Sequence, residues 1–172
     1  MPLRHTAGAA LRRTNLLWML GFTGLLPSAG WAAGVTCSVS ATGPVFGTYV
    51  AATVTPLNSN GSVVVTCTII AGNNTGTATP IMALSAGASA SYTTRTMGST
   101  PRLLNYNLYR DAAHTQVWGD GTGVSSTNSA SISVTKASPT QQVTATIYGR
   151  IPASQDAYPN AYTDTIVVTV TY

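Results

Sequence analysis

Residues 162–172 read YTDTIVVTVTY, a run in which apolar and hydroxyl side chains alternate. Ile166, Val168 and Val170 share one face with Tyr172, while Thr165, Thr169 and Thr171 lie opposite, with Val167 among them. Successive side chains of a strand point to opposite faces, so a period of two in β-branched residues predicts a half-buried strand. The same grammar extends toward the N-terminus. Residues 142–151 alternate Val143, Ala145, Ile147 and Gly149 against Gln142, Thr144, Thr146 and Tyr148, and residues 129–135 alternate through Ile132 and Val134. Residues 102–109 put Leu104, Tyr106 and Leu108 on one face; residues 80–85 are short and apolar, and residues 63–70 are β-branched almost throughout. Between these segments lie the turn clusters Asn58-Ser59-Asn60-Gly61, Asn73-Asn74-Thr75-Gly76 and Gly119-Asp120-Gly121. Asn-Gly and Asp-Gly supply the positive φ that tight turns need. No segment after residue 33 sustains a helical period. Short strands at near-regular spacing predict an all-β, antiparallel sandwich of one domain.

The first residues follow different rules. Arg4, Arg12 and Arg13 stand without an acid, an apolar run (LLWMLGFTGLL) fills residues 16–26, Pro27 breaks it, and small residues lead to Gly30-Trp31-Ala32. A basic start, a short apolar run and a small-x-small site form a secretory signal peptide, here residues 1–32, with cleavage after Ala32 or Ala33. The run is shorter than the ~20 residues a membrane span needs. The expected mature domain is residues 33–172, long enough for one core.

Removing the leader changes the electrostatics. Arg95, Arg102, Arg110, Lys136 and Arg150 remain against Asp111, Asp120, Asp156 and Asp164, so little of the formal +4 survives. No basic patch is left to grip nucleic acid and no charge run to hold a membrane surface. Such sparse charge is unusual for an isolated soluble domain and suits a surface covered by neighbours. Cys37 and Cys67 are the only cysteines, and in an oxidising compartment an isolated pair is most simply one disulfide.

Catalytic patterns are missing from the sequence. It contains no Glu, no Gly-x-Ser-x-Gly elbow and no phosphate-binding glycine loop ahead of a helix. His114 with Asp111 nearby reads as surface, and Gly119–Gly123 lacks the spaced carboxylates of a calcium loop. Two cysteines and a distant histidine do not make a metal site. Neither a cofactor nor an enzymatic activity is expected.

Seven pieces in order remain: Cys37-Ser38-Val39-Ser40, Val45-Phe46-Gly47-Thr48-Tyr49, Val65-Thr66-Cys67, Leu104-Asn105-Tyr106-Asn107-Leu108-Tyr109, Trp118-Gly119-Asp120-Gly121, Ile147-Tyr148-Gly149-Arg150-Ile151-Pro152, and Tyr162-Thr163-Asp164-Thr165 before the alternating end. Their order and spacing resemble the spore coat protein U domain of archaic chaperone–usher pili, over essentially the whole mature chain. The resemblance implies an immunoglobulin-like sandwich lacking its final strand. A periplasmic chaperone would lend that strand, and at an outer-membrane usher another pilus subunit would replace it. The protein would then be exported through the inner membrane, pass the periplasm, and act at the cell surface in attachment and biofilm formation. Alternatives are a tip adhesin, with Tyr92, Trp118 and Tyr158 as loop aromatics for a surface or glycan, and a secreted or spore-coat structural protein.

On that resemblance, Ile166, Val168 and Val170 are expected to face the groove that receives the partner strand, and Tyr172 to anchor the chaperone through its carboxylate. The sequence ends within its best strand, which agrees with a missing closing strand. Only residues 33–36 precede Cys37, about 14 Å when extended. An acceptor that donates poorly, as a terminal subunit would, is therefore expected. Cys37 and Cys67 are expected to join neighbouring strands beside the gap.

Overall fold

The computed structural model describes residues 34–51, 53–99 and 101–172. The predicted signal peptide and its cleavage site lie outside the described residues. Twelve strands carry the fold: β1 (Val35–Thr42), β2 (Leu57–Ile69), β3 (Thr75–Ala78), β4 (Ile81–Leu84), β5 (Arg95–Ser99), β6 (Arg102–Tyr109), β7 (Val117–Trp118), β8 (Ser125–Ser126), β9 (Asn128–Ser129), β10 (Ile132–Thr135), β11 (Thr140–Ile151) and β12 (Val168–Thr171). The one helical element among the described residues is a short 3-10 turn, Gly87–Ser89.

One sheet runs β1-β2-β11-β6-β7-β8, with β5 also paired to β6. Its pairings are antiparallel except β7 with β8. Facing it are the β12-β4-β9 sheet and the β10-β3 pair. The architecture is the expected all-β, immunoglobulin-like sandwich, and its core explains the alternation. Val63, Val65, Ala145, Ile147, Leu104, Tyr106 and Leu108 point inward from the large sheet, and Met82, Leu84, Ile132, Val134 and Val168 meet them from the other side. The outward positions of β1, β2 and β11 are mostly Thr and Ser, which tolerate solvent and keep β propensity.

Two expectations about turns and strands change. Asn58 to Gly61 form no turn; they lie inside β2 and pair with β11 from Gly61↔Ile147 to Asn58↔Arg150. Gly61 is needed for close approach: a Cβ there would run into the Thr42 carbonyl and the Pro44 nitrogen as the chain leaves β1. Local Asn-Gly chemistry therefore yields to the long ladder with β11. The second difference is that only Val168–Thr171 of the 162–172 run forms ladder pairs, with β4. Burial still alternates across it, with Asp164, Ile166 and Val168 inside and Thr163, Thr165 and Val167 outside.

The disulfide is present. Cys37 and Cys67 face each other across β1 and β2 with a Cα–Cα distance of 4.0 Å. β1 is the edge strand and β2 lies one strand inward, so the bridge staples the border strand to the interior of the sheet.

His114 is less exposed than expected. Its ring packs edge-on against Tyr109 (5.2 Å) and Tyr148 (6.2 Å), and both ring nitrogens are shielded from solvent. Desolvation, followed by the nearby positive charge of Arg150, holds its pKa below the ordinary value, with Asp111 opposing. The folded state therefore favours the neutral ring. Its stabilising contribution is complete above the unfolded pKa near 6.5 and is lost as pH falls below it. Thermal unfolding at pH 7.5 and 5.5 should show a drop in Tm for the native chain that shrinks in His114→Asn, a residue that accepts the φ of 58° there. An equal drop in both would place the acid sensitivity elsewhere.

Candidate functional site: two open strand edges

The site begins with backbone parity. In an antiparallel pair the close residue pairs are the non-hydrogen-bonded ones. Cys37↔Cys67 at 4.0 Å is such a pair, so the Cys37 N–H and C=O point away from β2. The same parity turns the peptide groups of Val35, Val39 and Ala41 to the outer edge of β1. On the other wall, the Ser85 N–H donates to the Val167 carbonyl (2.9 Å), which makes that pair the hydrogen-bonded kind. Val168 and Val170 then turn their N–H and C=O away from β4. β1 and β12 each stand at the edge of their sheet.

The side chains of these same residues face inward. Ile166 and Val168 are buried, and Val170, Cys37, Val39 and Ala41 are partly buried against the core. Of the expected groove residues, Ile166 and Val168 are full core members and Val170 is half-covered. Tyr172 joins the two walls: its hydroxyl donates to the Cys37 carbonyl at 3.1 Å. The C-terminal end of β12 therefore lies beside the start of β1.

At the opposite end, the chain leaving β1 and the chain entering β12 enclose an apolar cavity of about 670 Å³. Phe46, Tyr49, Met97, Leu104, Ile151 and Tyr162 are among its lining residues. Val45, Val50 and Tyr158 are exposed at its rim, 70%, 58% and 57% respectively. The cavity is lined by the segments that follow β1 and precede β12, and by none of the residues of the two edge strands themselves.

A buried polar cluster fixes the β12 side. Arg95 is fully buried; its Nε and Nη2 donate to the Ser85 carbonyl (3.2 and 2.9 Å), Nη2 to the Trp118 carbonyl (2.7 Å) and Nη1 to Asn107 Oδ1 (2.6 Å). Asp164, 5% exposed, accepts from the Tyr106 hydroxyl (2.6 Å) and from the N–H groups of Ala88 (3.0 Å) and Thr165 (2.7 Å). Gly87 packs directly on that carboxylate and leaves no room for a Cβ. Burial, then the bond to Asp164, pushes the Tyr106 phenol far above its usual value, so it remains a protonated donor. Burial lowers Arg95 against weaker raising effects, Tyr106 and Tyr92 first and Asp164 after them. Gly98 N–H to the Thr163 carbonyl (3.0 Å) and Val167 N–H to Ser85 Oγ (2.9 Å) complete the attachment. These bonds hold residues 163–167 where ladder pairing has not yet begun.

Sequence reading missed this cluster, because Asp164 figured there only as one of the few charges of the mature chain. Its inward parity beside Ile166 was the available signal. The loop aromatics also resolve. Trp118 is fully buried with Nε1 donating to the Met82 carbonyl (2.9 Å), and Tyr92 donates to the Leu84 carbonyl (3.2 Å) beside the Arg95 guanidinium. Of the three, only Tyr158 faces solvent at a loop. Asp120 Oδ1 accepts from the Thr122 N–H (2.9 Å), Thr122 Oγ1 (2.6 Å) and Ser125 Oγ (3.4 Å), and the Tyr92 hydroxyl is a further partner of this carboxylate, in a closed turn. Among the described residues no group of three or more His, Cys, Asp or Glu could hold a metal, and no helix is long and apolar enough to cross a membrane.

Comparison with known proteins gives a family and a likeness of fold. The family model of the Spore Coat Protein U domain matches residues 26–169. Among solved structures, the chain resembles the crystal structure of the CsuC-CsuE chaperone-tip adhesion subunit pre-assembly complex from archaic chaperone-usher Csu pili of Acinetobacter baumannii. The TM-score is 0.50 at 22% identity, covering 80% of this chain and 40% of that one, a likeness of fold. No curated protein matches the chain.

Proposed function

The chain belongs to the Spore Coat Protein U domain family, whose members are structural proteins and not enzymes, and we propose that it is a subunit of a chaperone–usher surface pilus, completed by a strand from another chain. The observation that carries this reading is the pair of open edges, β1 and β12, whose inward side chains already belong to the core. An exposed edge is a template for pairing, and a strand laid between these two would satisfy backbone groups on both sides. Its alternate side chains would cover Cys37, Val39, Ala41 and Val170, which the fold leaves half-exposed. Main-chain bonds would supply affinity, and the inward contacts register.

A periplasmic chaperone is the first donor in this reading, and a neighbouring subunit, delivered at an outer-membrane usher, is the second. Residues 1–32 direct export and are removed. The assembled subunit serves attachment and biofilm formation. Sparse surface charge suits a chain covered by its neighbours.

Purification of the exported protein, with size-exclusion chromatography and mass spectrometry, tests the proposal. A one-to-one complex with a small β-rich partner is expected. A stable monomer at all concentrations would overturn it.

One observation favours a position at the pilus tip. Val45, Val50 and Val54 are 70%, 58% and 84% exposed in the connection between β1 and β2, an apolar loop able to touch a hydrophobic surface. Cells carrying Val54→Ser should adhere less to polystyrene while pilus number stays constant; unchanged adhesion removes the tip reading.

A further inference from the structure

We propose that the Tyr172 phenol is a bolt across the gap, occupying the edge acceptor that a partner strand needs and withdrawing when one arrives. The inference rests on the strand-acceptor reading above and adds a specific gating contact to it. Cys37 is a non-hydrogen-bonded partner of Cys67, so its carbonyl faces the outer edge of β1. A strand added to β1 would place an N–H on this oxygen. In the unpartnered chain that position is taken by Tyr172 Oη at 3.1 Å.

The contact crosses from one wall of the gap to the other, since Tyr172 directly follows β12. It therefore does two things. It satisfies one polar group of an otherwise open edge, and it sets the aromatic ring over the entrance, where a second copy of the chain would begin to pair. Tyr172 is 37% exposed, whereas Ile166 and Val168 are buried, so the phenol can leave the edge without the core being opened. One neutral, solvent-accessible hydrogen bond is a small barrier. A true partner replaces it with several ladder bonds, while a chance encounter through one or two bonds does not.

The test uses the purified exported chain and Tyr172→Phe, which removes only the hydroxyl from a partly exposed ring. The probe is a fluorescein-labelled dodecapeptide of alternating threonine and valine. Its control carries proline at alternate positions and cannot donate to a ladder. Tyr172→Phe should bind the Thr-Val peptide about three- to tenfold more tightly than the native chain, the effect of releasing one hydrogen bond. It should also self-associate at lower concentration, with a Tm lower by about 2–5 °C, the same hydrogen bond being lost from the free fold. Equal binding by both chains, with the proline peptide rejected, would overturn the bolt and leave the gap standing. Binding of the Thr-Val peptide by neither chain would overturn both readings.

Discussion

Arg95→Met is expected to lower the melting temperature by about 10 °C. The guanidinium satisfies the carbonyls of Ser85 and Trp118 and the Asn107 side chain in a fully buried setting. Methionine fills the volume but donates to none of them. Asn107 Oδ1 keeps the Leu108 N–H as a donor, but the two buried carbonyls are left without a partner at roughly 1–3 kcal/mol each, so the total reaches about 3 kcal/mol or more. The buried Asp164 also loses its neighbouring positive charge. For a domain of this size, 1 kcal/mol moves Tm by roughly 3–4 °C, which gives the expected drop. Arg95→Lys should rescue little, because an ammonium is a point donor and cannot span acceptors on three elements. Circular dichroism melts of the purified variants decide the matter. A loss under about 2 °C in Arg95→Met would mean that water already serves these acceptors.

Val168→Asp is expected to abolish recovery of the proposed partner complex. Val168 is 4% exposed, its side chain faces the core beside Ile166 and its peptide group faces the open edge. A carboxylate there has no cation or donor of its own and costs several kcal/mol to bury. The wall of the gap would have to turn outward or unpair from β4. Thr169→Asp, one residue on and on the outer face, should leave recovery near the native level. Quantitative immunoblots of the exported fraction and of the co-purified complex measure both variants. Equal loss in the two would trace the effect to charge anywhere on β12 and not to the inward position.

Much of the fold was legible because the outer faces are mostly Thr and Ser. The inward sets Leu104-Tyr106-Leu108, Ala145-Ile147-Ile151 and Ile166-Val168 could be read directly from alternation. Alternation reports which face is buried and says nothing about pairing, and that is where expectations departed from structure. Residues 162–167 alternate perfectly yet stand outside the ladder, tethered by Asp164 and Ser85. Asn58 to Gly61 carry turn chemistry yet continue β2, because β11 offers a partner along its whole length and Gly61 admits the chain at Thr42. Short strands such as β7 and β8 carry two residues each and leave no period to detect.

The candidate site divides in the same way. Ile166, Val168 and Val170 were readable as one inward face, and Cys37 with Cys67 as a bridge. That β1 forms the opposite wall depends on residues far apart in sequence, Cys37 and Tyr172, meeting in space. Asp164 and Arg95 escaped notice because charged residues in a chain with so few of them read as surface. Their burial becomes intelligible only with the donors of Tyr106, Ala88 and Thr165 and the acceptors of Ser85 and Trp118 in place.

Amide hydrogen exchange tests the central claim most directly, comparing the exported chain alone with the same chain in its partner complex. The open-edge account predicts fast exchange at Cys37, Val39, Ala41, Val168 and Val170 in the isolated chain and strong protection of all five in the complex, while the amides of Val63, Val65, Val143, Ala145 and Ile147, bonded between β2 and β11, stay protected in both. Protection of the five edge amides in the isolated monomer, or its absence in the complex, would contradict the account.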